Sequence, residues 1–567
     1  MINKLNWKIG GEAGYGIMTT GLIFGKTCCR LGLNVFDYIE YPSLIRGGHN
    51  AYQVNVSASP VYSQAQPVDL LVALNHETVI RHKDELSVQS AIIYDLDQGN
   101  LDQKEFSNQV KLYPVPLVKL AASLGAFKLM MNNVALGASF ALLGNEIDTL
   151  LTVIADTFSG KDPTISELNK NAAKAGFDYV KTHFKEPFPH SLQKIKSEKK
   201  ILLTGNEAIG IGAIKAGCKF FALYPMTPIN GLLYFASSHA KKYGFVYKQP
   251  EDEIAGINMA IGASFAGARS LVGTSGGGFS LMTEGLGLAA MTETPLVVIL
   301  GQRPGPSSGM PTWTDQGDLN FALNASQGEF LRIVLAPGDI EECFDLTVEA
   351  FNIADRYQTP VIILVDKYLS EEHKSLEAKK IIDKNITIDR GKLVDDFADY
   401  KRYKLTDDGI SPRALPGQTY FVANSYEHEE SGLSTEESNI KKNMTEKRSK
   451  KFHLLASELP SPKVFGPKDA QITLIGWGST KGPVLEALKQ LPNVSYIHLD
   501  HINPFPKESV LTLLKRSKRV AIVENNHTAQ MAGWIRMQTG FEIKEKLLKY
   551  DGRPFYPEEI ISYVKSR

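Results

Sequence analysis

Three segments of the sequence combine polar and turn-forming residues of the kind that bind small ligands. They are residues 224–228 (YPMTP), 274–278 (TSGGG) and 301–309 (GQRPGPSSG), and each follows an apolar run that predicts a β-strand. In an open parallel sheet, ligands bind beyond the carboxyl ends of the strands. These segments therefore predict a binding rim that carries hydroxyl groups and one guanidinium group, that of Arg303.

A carboxylic acid, Glu253, stands at the start of a strongly apolar predicted helix. It lies in the segment PEDEIAG, and the helix that follows is rich in Gly, Ala and Ile. A carboxyl group in such a place can hold or transfer a proton. Acidic residues in the first turn of a helix also commonly interact with the helix dipole, and we favour that interpretation for Glu251 and Asp252.

Two familiar kinds of site are absent from the sequence. No Gly-Lys-Ser/Thr follows residues 274–278, so this glycine run does not predict a phosphate loop and is instead typical of a close-packed strand-to-helix turn. The cysteines, Cys28, Cys29, Cys218 and Cys343, form no Cys-x-x-Cys pair. They therefore predict buried thiols, and neither a zinc site nor an iron–sulfur cluster is expected on this chain.

Composition narrows the class of protein further. The 62 basic and 62 acidic residues cancel, and no concentrated positive face indicates nucleic-acid binding. No run approaches the roughly 18 uninterrupted apolar residues of a membrane span. We expect a cytoplasmic protein that binds neither nucleic acid nor membrane.

The 567 residues are too many for one hydrophobic core, and apolar strand-like runs alternate with amphipathic helical ones. The fold class predicted is α/β, with three α/β domains built on mainly parallel sheets. A charged run within residues 381–470 predicts an exposed helix or a solvated excursion, with a subunit-contact arm as the second interpretation. The expected limits are residues 1–185 for the first domain, 186–199 for a linker, 200–380 for the central domain, 381–470 for a polar excursion and 471–567 for the last domain.

The segments YPMTP, SGGGFSLMTEGLG and QRPGPSSGMPTWTDQGDL resemble the alpha subunit of 2-oxoacid:ferredoxin oxidoreductases. The resemblance continues through SPRALPG, EHEESG and the C-terminal domain, which resembles that of transketolase. The opening GGEAGYGIMTTG, with Tyr41, Pro42 and Ser43 and then Arg46, Gly47 and Gly48, is similar to the gamma subunit of the same enzymes. The chain is thus identified as similar to a gamma–alpha fusion over nearly its whole length.

This resemblance implies a central pyrimidine-binding domain for thiamine diphosphate. Glu253 would be the catalytic residue, facing N1′ of the aminopyrimidine, and Thr227, Arg303 and Thr312 would bind the substrate, with Arg303 on its 1-carboxylate. Residues 276–278 are Gly-Gly-Gly, where the family typically has Gly-Pro-Gly. The implied cofactor-binding residues are Tyr224, Pro225, Thr227, Glu253, Thr274, Ser275 and Gly276.

The sequence lacks the Gly-Asp-Gly motif that brings Mg²⁺ to the diphosphate in thiamine enzymes. The resemblance therefore implies that Mg²⁺, the diphosphate half of the site and a [4Fe-4S] cluster belong to a beta subunit, in a heterodimer or heterotetramer. The other implied partners are ferredoxin, coenzyme A and a 2-oxoacid.

The implied reaction is oxidative decarboxylation, with 2-oxoglutarate as the preferred substrate and pyruvate or a branched-chain 2-oxoacid close behind. The first domain is expected to be a scaffold, with a contribution to coenzyme A binding as the lesser hypothesis. Two alternatives stay open for the whole chain. They are a component of another thiamine-dependent 2-oxoacid dehydrogenase with a lipoyl acceptor, and a non-catalytic assembly subunit.

Overall fold

The structure is a computed structural model, and it describes residues 1–43, 47–107, 109–125, 128–160 and 162–567. Arg46, which contributes to the gamma-like motif, lies outside the described residues. Among the helices described, none is both long and apolar enough to cross a membrane.

The β-strands are short, as is usual for a chain in which strands and helices alternate. In chain order they are β1 (Lys4–Glu12), β2 (Asn34–Glu40), β3 (His49–Ser57), β4 (Val68–Ala73), β5 (Leu86–Asp95), β6 (Lys111–Val115), β7 (Lys200–Leu203), β8 (Cys218–Leu223), β9 (Val246–Lys248), β10 (Arg269–Ser275), β11 (Leu296–Gln302), β12 (Ile333–Leu335), β13 (Pro360–Asp366), β14 (Lys374–Glu377), β15 (Lys463–Phe465), β16 (Ile472–Trp477), β17 (Val494–Leu499), β18 (His501–Asn503), β19 (Val520–Glu524) and β20 (Glu545–Leu548).

The α-helices connect most of these strands. They are α1 (Ile17–Arg30), α2 (His76–His82), α3 (Leu117–Ser123), α4 (Met131–Leu142), α5 (Asp148–Thr157), α6 (Pro163–His183), α7 (Gly205–Lys215), α8 (Asn230–Tyr243), α9 (Glu253–Phe265), α10 (Gly276–Met291), α11 (Leu319–Asn324), α12 (Ile340–Tyr357), α13 (Lys367–Glu371), α14 (Ser438–Glu458), α15 (Lys481–Leu488), α16 (Lys507–Arg516), α17 (Gln530–Thr539) and α18 (Pro557–Lys565).

The chain divides into two compact units. The first comprises residues 1–203, 372–383 and 556–567, and the second comprises residues 204–371 and 384–555. The first unit contains a sheet of eight described strands in the order β6-β5-β4-β1-β3-β2-β14-β7. Pairing is parallel from β6 to β1 and antiparallel from β1 to β7.

Strand β14 accounts for a difference from the domain limits expected from the sequence. It pairs antiparallel with β2 and β7, so residues 372–383 belong to the first unit although most of them fall within the expected central domain. This pairing joins residues more than 330 positions apart, Phe36 and Lys374, and no local pattern signals it.

The second unit holds the two other sheets. Within the described residues, seven strands have the order β18-β12-β13-β11-β10-β8-β9, and five have the order β15-β17-β16-β19-β20. Strands β10, β11 and β13 are buried along their whole length, which explains why the sequence shows them as continuous apolar runs rather than alternating ones. The α/β class with mostly parallel sheets is confirmed, and the antiparallel half of the first sheet is the main departure from it.

The charged run within residues 381–470 forms helix α14, but one face of this helix is not exposed. Lys447 and Lys451 are buried, and both form ion pairs with the buried carboxylate of Glu293. Burial opposes ionisation of Glu293, yet the two lysines outweigh it and hold its pKa well below the usual range. The rest of the helix is exposed or half-buried, in line with the predicted exposed helix, and only this stripe departs from it, because the two lysines lie in line with the buried residues Met444 and Leu455.

Candidate active site

The three polar segments singled out in the sequence leave neighbouring strands of the central sheet at the same edge. Strands β8, β10 and β11 are parallel, and the pairings place Leu223 beside Gly273 and Ser275 beside Gly301. On the other side of β11, Gln302 pairs with Asp366 of β13. The expected rim at the carboxyl ends of the strands is therefore present.

Glu253 is the first residue of helix α9, and its side chain is buried, with 3% of the residue exposed. The preceding residue, Asp252, caps the helix by accepting a 2.8 Å hydrogen bond from the backbone N–H of Ala255. Because Asp252 caps the N-terminus, the Glu253 carboxyl group does not have to do so, and it lies among residues of the strand ends.

Thr274, at the end of β10, donates a 3.3 Å hydrogen bond from Oγ1 to Oε1 of Glu253. The carboxyl group lies against the first turn of α10, where a Cβ on Gly278 would stand 2.2 Å from Oε1 and 2.1 Å from Thr274 Oγ1. Only glycine leaves this space open. A Cβ on Gly277 would meet nothing within 4 Å, so the Gly-Gly-Gly sequence at residues 276–278 leaves the surroundings of Glu253 intact.

Arg303 is half-buried and connects two of the strand ends. Its Nη1 donates a 2.9 Å hydrogen bond to the backbone carbonyl of Thr227. Burial lowers the pKa of the guanidinium, and the nearby Asp318 carboxylate opposes that effect. Tyr224 and Pro225 belong to the same loop as Thr227 and are half-buried and exposed, respectively. Of the sequence-predicted residues, Arg303 and Thr227 are thus brought into direct contact.

Two of the predicted hydroxyl groups are buried without a partner. Ser275 is 0% exposed and Thr312 is 5% exposed, and neither Oγ nor Oγ1 finds a hydrogen-bond partner in the part of the chain that the structure describes. A buried hydroxyl without a hydrogen bond costs free energy, so native proteins rarely keep one unless a ligand or water satisfies it. Both residues therefore mark positions where a polar ligand would fit.

The loop after Arg303 carries two carboxyl groups, those of Asp315 and Asp318, which were not predicted from the sequence to belong to the site. Burial raises the pKa of Asp315 to about 7, and the charge of Asp318 adds to this effect. Burial also raises the pKa of Asp318 to about 6, against the influence of Arg303. The signal available in the sequence was the acidic pair within TDQGDL, directly after the segment that carries Arg303 and Thr312.

Gly276 lies close to a carboxylate of its own chain. A Cβ at this position would lie 2.7 Å from Oδ2 of Asp318. The residue thus makes room for a carboxylate of its own chain. Its expected role in cofactor binding remains a prediction.

A glutamine between the two carboxyl groups fixes this loop. The side chain of Gln316, which is 0% exposed, donates to the carbonyl of Trp477 at 3.0 Å and accepts from the backbone N–H of Asn525 at 2.9 Å. Its backbone N–H donates to the carbonyl of Asn525 at 2.7 Å. Strands β16 and β19 end at these contacts, so the C-terminal sheet holds the loop that carries Thr312 and Asp318.

Thr312→Val is expected to raise the KM for the 2-oxoacid about 2- to 12-fold, the equivalent of one ordinary hydrogen bond. Valine keeps the shape of the side chain and removes only the unpartnered hydroxyl. The melting temperature should not fall, because removing an unsatisfied buried polar group is neutral or stabilising. Steady-state kinetics and thermal unfolding of the same preparation check both parts. A lowered melting temperature with an unchanged KM would assign the hydroxyl to the fold instead.

Residues 211–447 match the family described as "Pyruvate flavodoxin/ferredoxin oxidoreductase, thiamine diP-bdg", a thiamine diphosphate-binding domain, and residues 6–179 match "Pyruvate ferredoxin/flavodoxin oxidoreductase". The 2-oxoacid:ferredoxin oxidoreductase subunit alpha of Saccharolobus solfataricus is 33% identical over 99% of this chain and 98% of the relative. The 2-oxoglutarate oxidoreductase subunit KorA of Mycobacterium tuberculosis is 30% identical over 99% of this chain and 91% of the relative.

Among solved structures, the chain is similar to a 2-oxoglutarate:ferredoxin oxidoreductase from Magnetococcus marinus, described with 2-oxoglutarate, coenzyme A and succinyl-CoA bound. The TM-score is 0.92 and the identity 34%, with 100% of this chain and 99% of that chain covered. The similarity that the motifs predicted is confirmed over nearly the full length. The chain therefore belongs to the 2-oxoacid:ferredoxin oxidoreductase family, as a relative of its alpha subunits that carries a thiamine diphosphate-binding domain.

Proposed function

We propose that this chain is the gamma–alpha fused subunit of an enzyme that oxidatively decarboxylates 2-oxoglutarate. The 2-oxoacid, coenzyme A and two oxidised ferredoxins give the acyl-CoA, CO2, two reduced ferredoxins and a proton. The observation that carries the proposal is the buried carboxyl group of Glu253, held by Thr274 above Gly278 in the segment that matches the thiamine-binding family.

The residues around Glu253 fit an aminopyrimidine ring. They offer a buried acid and a hydroxyl on Ser275 that lacks a partner, and Gly278 leaves the room that the Glu253 carboxyl group occupies. Thiamine diphosphate supplies a nucleophilic carbon and takes up the electrons left behind when CO2 departs. Glu253 holds the proton at ring atom N1′, and Tyr224, Pro225, Thr227, Thr274, Ser275 and Gly276 line the ring's side of the site.

Arg303 is the residue that we assign to the 1-carboxylate of the substrate. Its Nη1 is anchored on the carbonyl of Thr227, which leaves other N–H groups of the planar guanidinium for an anion. Thr312 contributes the hydroxyl that lacks a partner. Together these groups orient the bond between the keto carbon and the carboxylate before it breaks.

The preference for 2-oxoglutarate is supported by the names of relatives. The Mycobacterium tuberculosis relative is called a 2-oxoglutarate oxidoreductase subunit, and the Magnetococcus marinus enzyme is described with 2-oxoglutarate and succinyl-CoA bound. The gamma–alpha fusion is supported by the match of residues 6–179 to a second family of the same enzymes. On this basis we place the gamma-type domain at residues 1–185.

A beta subunit is proposed as the site of the iron–sulfur cluster. The cysteines of this chain are buried, and burial raises the pKa of Cys29 to about 11 and that of Cys218 to about 12. A cluster needs thiolates, which such environments disfavour. Ferredoxin would then receive its electrons from the partner.

The proposal places Mg²⁺ on the same partner. Among the described residues, one group could approach a metal site, namely Glu342, His498 and Asp500. However, Lys463 and Lys481 both donate to Oε1 of Glu342. These ammonium groups already neutralise the carboxylate on which a cation would depend.

We expect the purified chain alone to be colourless and inactive, because it lacks the ligands for a cluster and the motif for Mg²⁺ and diphosphate. Its absorbance spectrum should show no iron–sulfur band, and thiamine diphosphate should not bind tightly in the presence of Mg²⁺. Co-expression with the neighbouring subunit gene should restore 2-oxoglutarate-dependent reduction of a viologen dye. A brown or active preparation of the single chain would refute the split site.

A further inference from the structure

The carboxylate of Asp318 occupies an unusual position at the strand ends. Its two oxygens lie 2.7 and 3.0 Å from the place of a Cβ on Gly276, at the start of α10. The backbone N–H of Asp318 donates to the side chain of the buried Gln302 at 3.1 Å, which fixes the residue next to Arg303. Within the described ranges, no hydrogen bond to either carboxylate oxygen is found.

The charges that surround Asp318 come from few residues. Arg303, directly after β11, attracts its charge, and the charge of Asp318 in turn raises the pKa of Asp315 in the same loop. Asp366, at the end of β13, also raises the pKa of Asp315. The C-terminal part of the chain contacts this loop through neutral amides, for example Gln530, which donates to the carbonyl of Gly317, and through Arg553, whose guanidinium lies over the ring of Trp313. Of these groups, Arg303 is the cation that favours the ionised form of Asp318.

The substrate's 1-carboxylate would bring a second anion to the same guanidinium group. Two anions beside one half-buried cation repel each other, and the one that can accept a proton is neutralised. We propose that Asp318 is a positioning residue that takes up a proton when a 2-oxoacid carboxylate binds to Arg303 and releases it when CO2 leaves. This inference rests on the proposed function, since it requires that Arg303 binds the substrate.

The proton balance is closed. On binding, the Asp318 carboxylate takes one proton from solvent and becomes a neutral carboxyl group. When the bond between the keto carbon and the carboxylate breaks, the electron pair stays with the fragment that the enzyme retains, and neutral CO2 departs. The anion beside Arg303 is then gone, so Asp318 ionises again and returns the proton to solvent.

The pH dependence of binding follows from this exchange. In the free enzyme, burial raises the pKa of Asp318 to about 6, and in the complex it is higher. Affinity for the 2-oxoacid should therefore be constant below pH 6 and should fall, by up to about tenfold per pH unit, as the pH rises above 6. Asp318→Asn mimics the neutral carboxyl group, so its affinity should be independent of pH from 6 to 8 and at pH 8 should match or exceed that of the wild type.

The test uses the complex of this chain with its beta subunit, without coenzyme A and ferredoxin, titrated with oxamate, a 2-oxoacid analogue that is not decarboxylated. Calorimetry at pH 7 in two buffers of different ionisation enthalpy counts the protons taken up. We expect a net uptake of a substantial fraction of one proton per site in the wild type, because the free carboxyl group is mostly ionised at pH 7. Asp318→Asn should take up none, whereas the control Asp315→Asn should still take up protons, because it keeps the Asp318 carboxyl group.

Each contrary result has a distinct meaning. Oxamate binding that depends on Arg303 but takes up no proton would overturn this inference and leave the proposed function standing. Uptake that persists in Asp318→Asn, or is lost in Asp315→Asn, would also overturn it. Binding that Arg303→Ala leaves unchanged would refute the proposed substrate site, and the inference with it. If Asp318→Asn does not fold, the ratio of wild-type oxamate affinities at pH 6 and 8 decides, and a ratio of one refutes the inference.

Discussion

Replacing Glu253 by Gln is expected to slow 2-oxoacid oxidation by about 10²- to 10⁴-fold while the complex still assembles. Glutamine has the size of the native side chain and can keep the contact with Thr274 Oγ1, so the space above Gly278 stays filled. It cannot hold or pass the proton at N1′ of the pyrimidine. Hydrogen–deuterium exchange at the thiamine C2 position of the assembled enzyme measures the affected step directly.

Glu251 provides the matched control, because it is an exposed glutamate two residues before Glu253. Glu251→Gln should exchange at the wild-type rate and should melt at nearly the wild-type temperature. If Glu253→Gln also exchanged at the wild-type rate, the carboxyl group would have no part in the reaction. Its burial beside Thr274 would then be a feature of the fold alone.

The positions of the predicted site residues could be inferred from sequence because they depend on strand ends. The apolar runs before residues 224–228, 274–278 and 301–309 are buried strands of one parallel sheet. Any such set of strands presents its carboxyl ends at a common edge. The contact of Arg303 with the carbonyl of Thr227 is a consequence of that arrangement.

Other parts of the site depend on contacts between distant segments, which no local pattern encodes. Asp318 packs on Gly276, 42 positions earlier, and a carboxylate near a glycine leaves no periodic trace in a sequence. Gln316 is bound by Trp477 and Asn525 of the C-terminal sheet. The segment TDQGDL around Gln316 is typical of an exposed polar loop, although the Gln316 side chain is buried.

The same limit explains why the buried stripe of helix α14 was not predicted. Lys447 and Lys451 have the composition of a solvated surface, and a charge run usually is one. Their burial depends on Glu293, more than 150 residues earlier, whose carboxylate lies under that face of the helix. The charged run contains no sign of this distant partner, so the buried face could not be predicted.

Arg303→Ala is expected to weaken the use of the 2-oxoacid about 10- to 150-fold, with most of the change in KM. A charge-assisted hydrogen bond to a carboxylate contributes roughly 1.5–3 kcal/mol, which converts to that range. Arg303→Lys should recover only part of the loss, since an ammonium group keeps the charge but not the planar pair of donors. Steady-state kinetics with 2-oxoglutarate as the varied substrate measures both variants.

A purely structural role for Arg303 is a definite rival, because its Nη1 already braces the loop through the carbonyl of Thr227. Arg332 is the matched control, since it is also half-buried and donates to the carbonyls of Ala325, Ser326 and Gly328. Arg332→Ala should lower the melting temperature and leave the KM unchanged. If Arg303→Ala behaved in the same way, it would be a brace and not a substrate ligand. An increase in KM for the 2-oxoacid, with unchanged affinities for thiamine diphosphate and coenzyme A, would instead place the carboxylate on its guanidinium group.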